Sequence, residues 1–96
     1  MQKLYEYLGI IILFYAYEHE PVHVHGRKAG EESKAEITVK NGTEYIIDIK
    51  NVTGKPPLKH NDLNDFKKFV TYYAEEIVQK WIDFFCTKQT RLPRKN

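Results

Sequence analysis

Three of the four histidines fall between residues 19 and 25, in the run His19-Glu20-Pro21-Val22-His23-Val24-His25. On an extended strand His23 and His25 project from one face, and a turn restricted by Pro21 brings His19 back toward them. Imidazoles so gathered suit zinc, copper, nickel or iron, and Glu18, Glu20 or His60 is available as a further ligand. The metal candidates are therefore His19, His23 and His25. Without metal, the same rings are turn and strand residues whose nitrogens bond carbonyls and carboxylates. Proton transfer is a third chemistry: His23 or His25 with Glu18 or Glu31 makes an acid/base pair. His25 near Arg27 and Lys28 is an arrangement that a small ribonuclease-like enzyme would turn on a phosphodiester. Spacing alone singles out no catalytic residue.

The elements that must hold these histidines are legible as hydrophobic patterns. Leu8 to Tyr17 is β-branched or aromatic almost throughout and closes at Glu18-His19-Glu20-Pro21, so a strand is expected over about residues 8–17. Its alternating sets, Ile10-Ile12-Phe14 and Ile11-Leu13-Tyr15, are both apolar, which requires cover on both faces or a subunit contact. Val22-His23-Val24-His25 alternates in period two and makes a short return strand, after which Gly26 to Ser33 has the composition of a loop.

Ala35, Ile37 and Val39, then Tyr45, Ile47 and Ile49, alternate with polar residues around Asn41-Gly42, the clearest hairpin in the chain. A two-residue loop would pair Val39 with Glu44 and mix the faces. A three-residue loop Lys40-Asn41-Gly42, pairing Ile37 with Tyr45 and Ala35 with Ile47, is expected instead. Gly54, Pro56 and Pro57 mark a connector, and Asn61 is placed to cap a helix. Leu63, Phe66, Val70, Tyr73, Ile77, Trp81 and Phe84 then recur at the three-and-four spacing of an amphipathic helix, with Glu76 and Lys80 ordered as an i,i+4 pair. The expected fold is α+β: a small antiparallel sheet of two hairpins, roughly 8–28 and 34–50 and about four strands, packed by a long or kinked C-terminal helical region.

A chain of 96 residues that is 42% hydrophobic and 14% aromatic makes one domain with a real core and excludes a disordered or low-complexity protein. Its parts are residues 1–50 as sheet, 51–60 as connector, 61–86 as helical region and 87–96 as a basic tail. The net charge of +2 does not by itself point to nucleic acid or an anionic membrane. The basic residues Lys88, Arg91, Arg94 and Lys95 cluster in the tail, where phosphate contact competes with simple solvation. The single Cys86, beside Phe84 and Phe85, reads as a buried thiol compatible with a reducing compartment. The ten apolar positions of Leu8 to Tyr17 fall short of the ~20 that a spanning helix needs, and the flanks do not suit a secretory signal. A cytoplasmic location and no membrane partner are therefore expected. No phosphate-binding glycine loop, Gly-x-Ser-x-Gly or Cys-x-x-Cys occurs.

The chain also resembles the small bacterial proteins grouped as domain of unknown function family 4160. The resemblance is carried by Tyr7-Leu8-Gly9-Ile10-Ile11-Ile12, by the acidic-His-x-Pro-x-His-x-His turn Glu18-His19-Glu20-Pro21-Val22-His23-Val24-His25, and by Ala35-Glu36-Ile37. Asn41-Gly42-Thr43-Glu44, Pro57-Leu58 and Trp81 follow in order. Departures are Val22 in place of a second proline, Val24 in place of an aromatic, and a longer Gly26 to Ser33 segment. The resemblance implies no established reaction. It implies a short cytosolic accessory protein of a kind associated with toxin–antitoxin-like gene pairs, and two helices meeting near Tyr73-Ala74-Glu75, although no helix breaker stands there.

Short length, many aromatics and a two-sided apolar strand place a protein-interaction or accessory module first, its partner another protein or a second copy. A transition-metal-binding protein, with zinc or a similar ion held by His19, His23 and His25, is the alternative. A small ribonuclease-like enzyme, with nucleic acid reached through the basic tail, comes third.

Overall fold

The computed structural model describes residues 2–15 and 22–87. Five strands form one antiparallel sheet in chain order: β1 (Gln2–Tyr7), β2 (Ile10–Phe14), β3 (His23–Lys28), β4 (Glu31–Lys40) and β5 (Glu44–Asn51). Helices α1 (His60–Tyr72) and α2 (Ala74–Ile82) follow, and a π-helical turn spans Asp83–Thr87. The α+β class is as expected, but the sheet has five strands rather than four. The basic tail Lys88, Arg91, Arg94 and Lys95, the side chain of Cys86, and Glu18, His19 and Glu20 lie outside the described residues.

Both differences in the sheet come from two-residue turns at positive φ. The strand expected over 8–17 begins only at Ile10, because Leu8 and Gly9 take φ of 50° and 82° and turn the chain back onto β1. Such a pair matches the right-handed twist of the strands it joins. Period two is broken inside β1 itself, where the register with β2 shifts between Lys3 and Tyr5, so the strand leaves no clean alternation in the sequence. Gly26 to Ser33 is likewise not a loop. β3 runs to Lys28, Ala29 and Gly30 turn it at φ of 53° and 83°, and β4 begins at Glu31.

The third hairpin has a three-residue loop, but it is Asn41-Gly42-Thr43, with Asn41 and Gly42 at φ of 56° and 75°. Ile37 therefore pairs with Ile47 and Ala35 with Ile49, two residues from the expected register. A shift of two keeps every side chain on its own face, so the apolar pattern satisfies either register.

One face of the sheet carries the helical layer. Ile10, Ile12, Phe14, Val24, Ala35 and Ile37 form one buried cluster with Leu58, Phe66, Val70, Ile77, Trp81 and Phe85. Phe66 lies so close to β3 that a Cβ on Gly26 would meet its ring at 2.7 Å, inside any real carbon–carbon contact. Helix α1 starts one residue before the expected cap: Lys59 occupies the cap position without a side-chain bond, and Asn61 lies inside the first turn. The approach to the helix is anchored by tertiary structure instead, since buried Leu58 donates its N–H to Ser33 Oγ at 3.1 Å, and α1 then opens with the Leu63 N–H on Lys59 O at 2.7 Å.

The helical region is a kinked pair. It breaks at Tyr73, which has φ −103° and ψ 18°, with neither glycine nor proline nearby. Aromatic packing holds the break, because Tyr73 stacks on Tyr5 at 5.7 Å and meets Phe69 at 4.6 Å between ring centroids. Glu76 and Lys80 turn to the sheet instead of to each other: Tyr5 donates its hydroxyl to Glu76, and Lys80 Nζ stands 5.5 Å from the Tyr5 ring centroid. Burial, reinforced by the Glu76 carboxylate, pushes the Tyr5 phenol above its ordinary range.

Three substitutions check this layer. Gly26→Ala is expected to destabilise the domain by about 1–3 kcal/mol through overpacking, with part of that loss recovered when Phe66→Leu is added. Trp81→Ala, at a site 5% exposed, is expected to cost about 3–5 kcal/mol in denaturant unfolding.

Candidate functional site

The face of the sheet opposite the helices carries the polar chemistry. Because β3 alternates, Val24, Gly26 and Lys28 face the helical layer while His23, His25 and Arg27 face the other way. Register extends this second face: Arg27 pairs with Ile11 of β2 and Glu32 of β4, and His25 pairs with Leu13 and Lys34. The turn at Ala29 and Gly30 thus sets Glu32 diagonally beside His25.

That diagonal is closed by a short contact. His25 Nδ1 lies 2.8 Å from Glu32 Oε2, and each side chain is 2% exposed. Tyr15 donates its hydroxyl to the same carboxylate oxygen at 3.0 Å, and its ring stands edge-on to His25 at 4.5 Å and 87°. Arg27 in turn donates to the Tyr15 hydroxyl at 3.4 Å. This bond to Tyr15 holds the guanidinium above its ordinary pKa, against the opposing effect of burial.

His23 and His25 share this face as the sequence predicts, with ring centroids 5.4 Å apart. The third proposed member, His19, lies outside the described residues. Among the described residues no group of three or more His, Cys, Asp or Glu side chains is placed to hold a metal ion. His60, considered as a further ligand, is exposed at the start of α1 with Nε2 3.4 Å from Asn64 Nδ2.

Of the two carboxylates expected beside the histidines, Glu18 lies outside the described residues and Glu31 is engaged elsewhere. Glu31 bonds Lys59 at 3.2 Å and stands level with Lys28, so the carboxylate that reaches His25 is its neighbour Glu32. His25, Arg27 and Lys28 do not form one cluster either, since Lys28 points to the helical face and donates to Asp62 at 3.0 Å and to the Leu8 carbonyl at 3.2 Å. Glu32 and Tyr15 were missed because their role depends on pairing across strands. The signal available was the parity of the β3–β4 turn: a two-residue turn at Ala29-Gly30 places Glu32, and not Glu31, on the histidine face.

Comparison with known families matches residues 9–82 to the family described as Domain of unknown function (DUF4160). The chain belongs to this family. No curated protein and no solved structure matches it. The matched DUF4160 span contains this cluster, from Tyr15 through His23, His25 and Arg27 to Glu32.

Removing the carboxylate tests how this DUF4160 network is held. Glu32→Ala takes a hydrogen-bonding partner from both His25 and Tyr15 in a nearly dry site and is expected to cost about 3–5 kcal/mol in urea unfolding. Replacing the pair together, as His25→Phe with Glu32→Leu, is expected to cost clearly less than the two single losses combined.

Proposed function

We propose that this protein is a small protein-interaction module, an accessory protein of the kind its family resemblance implies, and that it docks its partner along the outer edge of β5. The observation that carries this reading is the state of that edge. β5 ends the sheet, and among the described residues nothing pairs with its outer side. Tyr45, Ile47 and Ile49 are only half-buried there, Ile46 is 38% exposed, and Val39 on the adjoining strand is 41% exposed. An edge of this kind offers main-chain hydrogen bonds for affinity and alternating side chains for specificity. The other edge is less suited. β1 carries a register irregularity, which twists an edge away from further pairing.

A second reading, transition-metal binding through His19, His23 and His25, is favoured by one feature. Ligating histidines commonly give their other ring N–H to a carboxylate, and Glu32 stands in that relation to His25.

Two measurements separate these readings. Ile46→Glu puts a charge on the exposed side of β5 with an expected stability change within about 1 kcal/mol. Affinity capture from cells should recover a partner with the native protein and lose it with this variant; equal recovery by both would remove the edge from the proposal. For the metal reading, zinc titrated calorimetrically into protein free of a histidine tag should give heat that disappears in the His23→Ala plus His25→Ala variant. Equal heats would sink it.

A further inference from the structure

Resting on the edge reading, we infer that the partner of β5 is a second copy of this chain, the two strands pairing antiparallel about a two-fold axis at Ile47. In that register Ile47 faces its own copy, Tyr45 faces Ile49, Ile46 faces Asp48, and Glu44 faces Lys50. The half-buried apolar residues of one copy meet those of the other on the helical side of the sheet. On the opposite side the exposed Glu44 and Lys50 form an opposite-charge pair that the symmetry repeats twice.

Only registers that move by whole pairs of residues keep the two faces apart. Among these, one step in one direction brings Asp48 against Asp48, and one step in the other brings Glu44 against Asp48, so each neighbouring register sets like charges opposite each other. The strand is thus self-complementary at this alignment and self-repelling one step to either side of it, which selects a second copy over an unspecified extended peptide. β5 also pairs with β4 from Glu44 to Asn51 without an irregularity, so its outer edge is regular along its length.

Sedimentation equilibrium of the full chain, run to concentrations on the order of 1 mM, reads the association directly. The native protein is expected to move from its 11.4 kDa monomer mass toward twice that value. Lys50→Glu places Glu against Glu at both symmetric contacts and is expected to weaken the dimer about tenfold. Adding Glu44→Lys to that variant swaps the charges and is expected to restore the native constant to within about threefold. Both positions are exposed, and near-ultraviolet circular dichroism checks that each variant stays folded. A monomer throughout the range overturns the inference, as does a dimer indifferent to Lys50→Glu or one that the charge swap fails to restore. A monomeric protein whose capture of another protein still depends on Ile46 defeats self-pairing alone. Capture indifferent to Ile46→Glu, in contrast, defeats the edge reading itself.

Discussion

Phe66 can lie against the middle of β3 only because position 26 has no side chain, and this close approach organises both sides of the sheet. The row that carries Gly26 continues across the strands to Ile12 and Ser33, and Ser33 accepts the N–H of Leu58, the residue that leads into α1. One row thus seats the aromatic ring and anchors the approach to the helix that bears it. Strand alternation then leaves no freedom to the other face: with Val24 and Gly26 committed to the helices, His23, His25 and Arg27 must point away from them.

The buried network on that second face acts on the same alignment from the opposite side. Glu32 accepts from Tyr15 and lies against His25, drawing together a residue just beyond β2, one from β3 and one from β4. A slip of one residue between β3 and β4 would carry Glu32 into the apolar helical layer and remove Ser33 from Leu58. Both errors bury a polar group without its acceptor or donor, which costs far more than a misplaced apolar contact. A slip is thus penalised at both groups, which favours the observed register of the central hairpin.

The two sheet edges are finished differently. β1 closes the sheet with a register irregularity and with Tyr5 and Tyr7 packed on Phe69 of α1, so its outer course is bent and its aromatic side chains are engaged. β5 remains straight in register, with its apolar side chains half covered. Among the described residues the sheet is finished on one side and unpaired on the other, an asymmetry in the property that governs strand pairing, and it supports the docking role proposed for β5.

Much of the fold was legible where the rule is local. Alternation put His23 and His25 on one face, the three-and-four spacing from Leu63 to Trp81 described the buried stripe, and Asn41-Gly42 marked a hairpin because those residues tolerate positive φ. These are short-range steric and periodic constraints that the chain carries wherever it goes. The remaining features depend on partners far along the chain. Glu32 becomes the neighbour of His25 only once Ala29 and Gly30 set the turn, and Tyr73 breaks the helical region because Tyr5 and Phe69 pack against it rather than through any breaker of its own. Gly26 is the clearest case: a glycine looks the same in sequence whether it opens a loop or clears space for a ring, and only the tertiary structure brings Phe66 to the place where that space is needed.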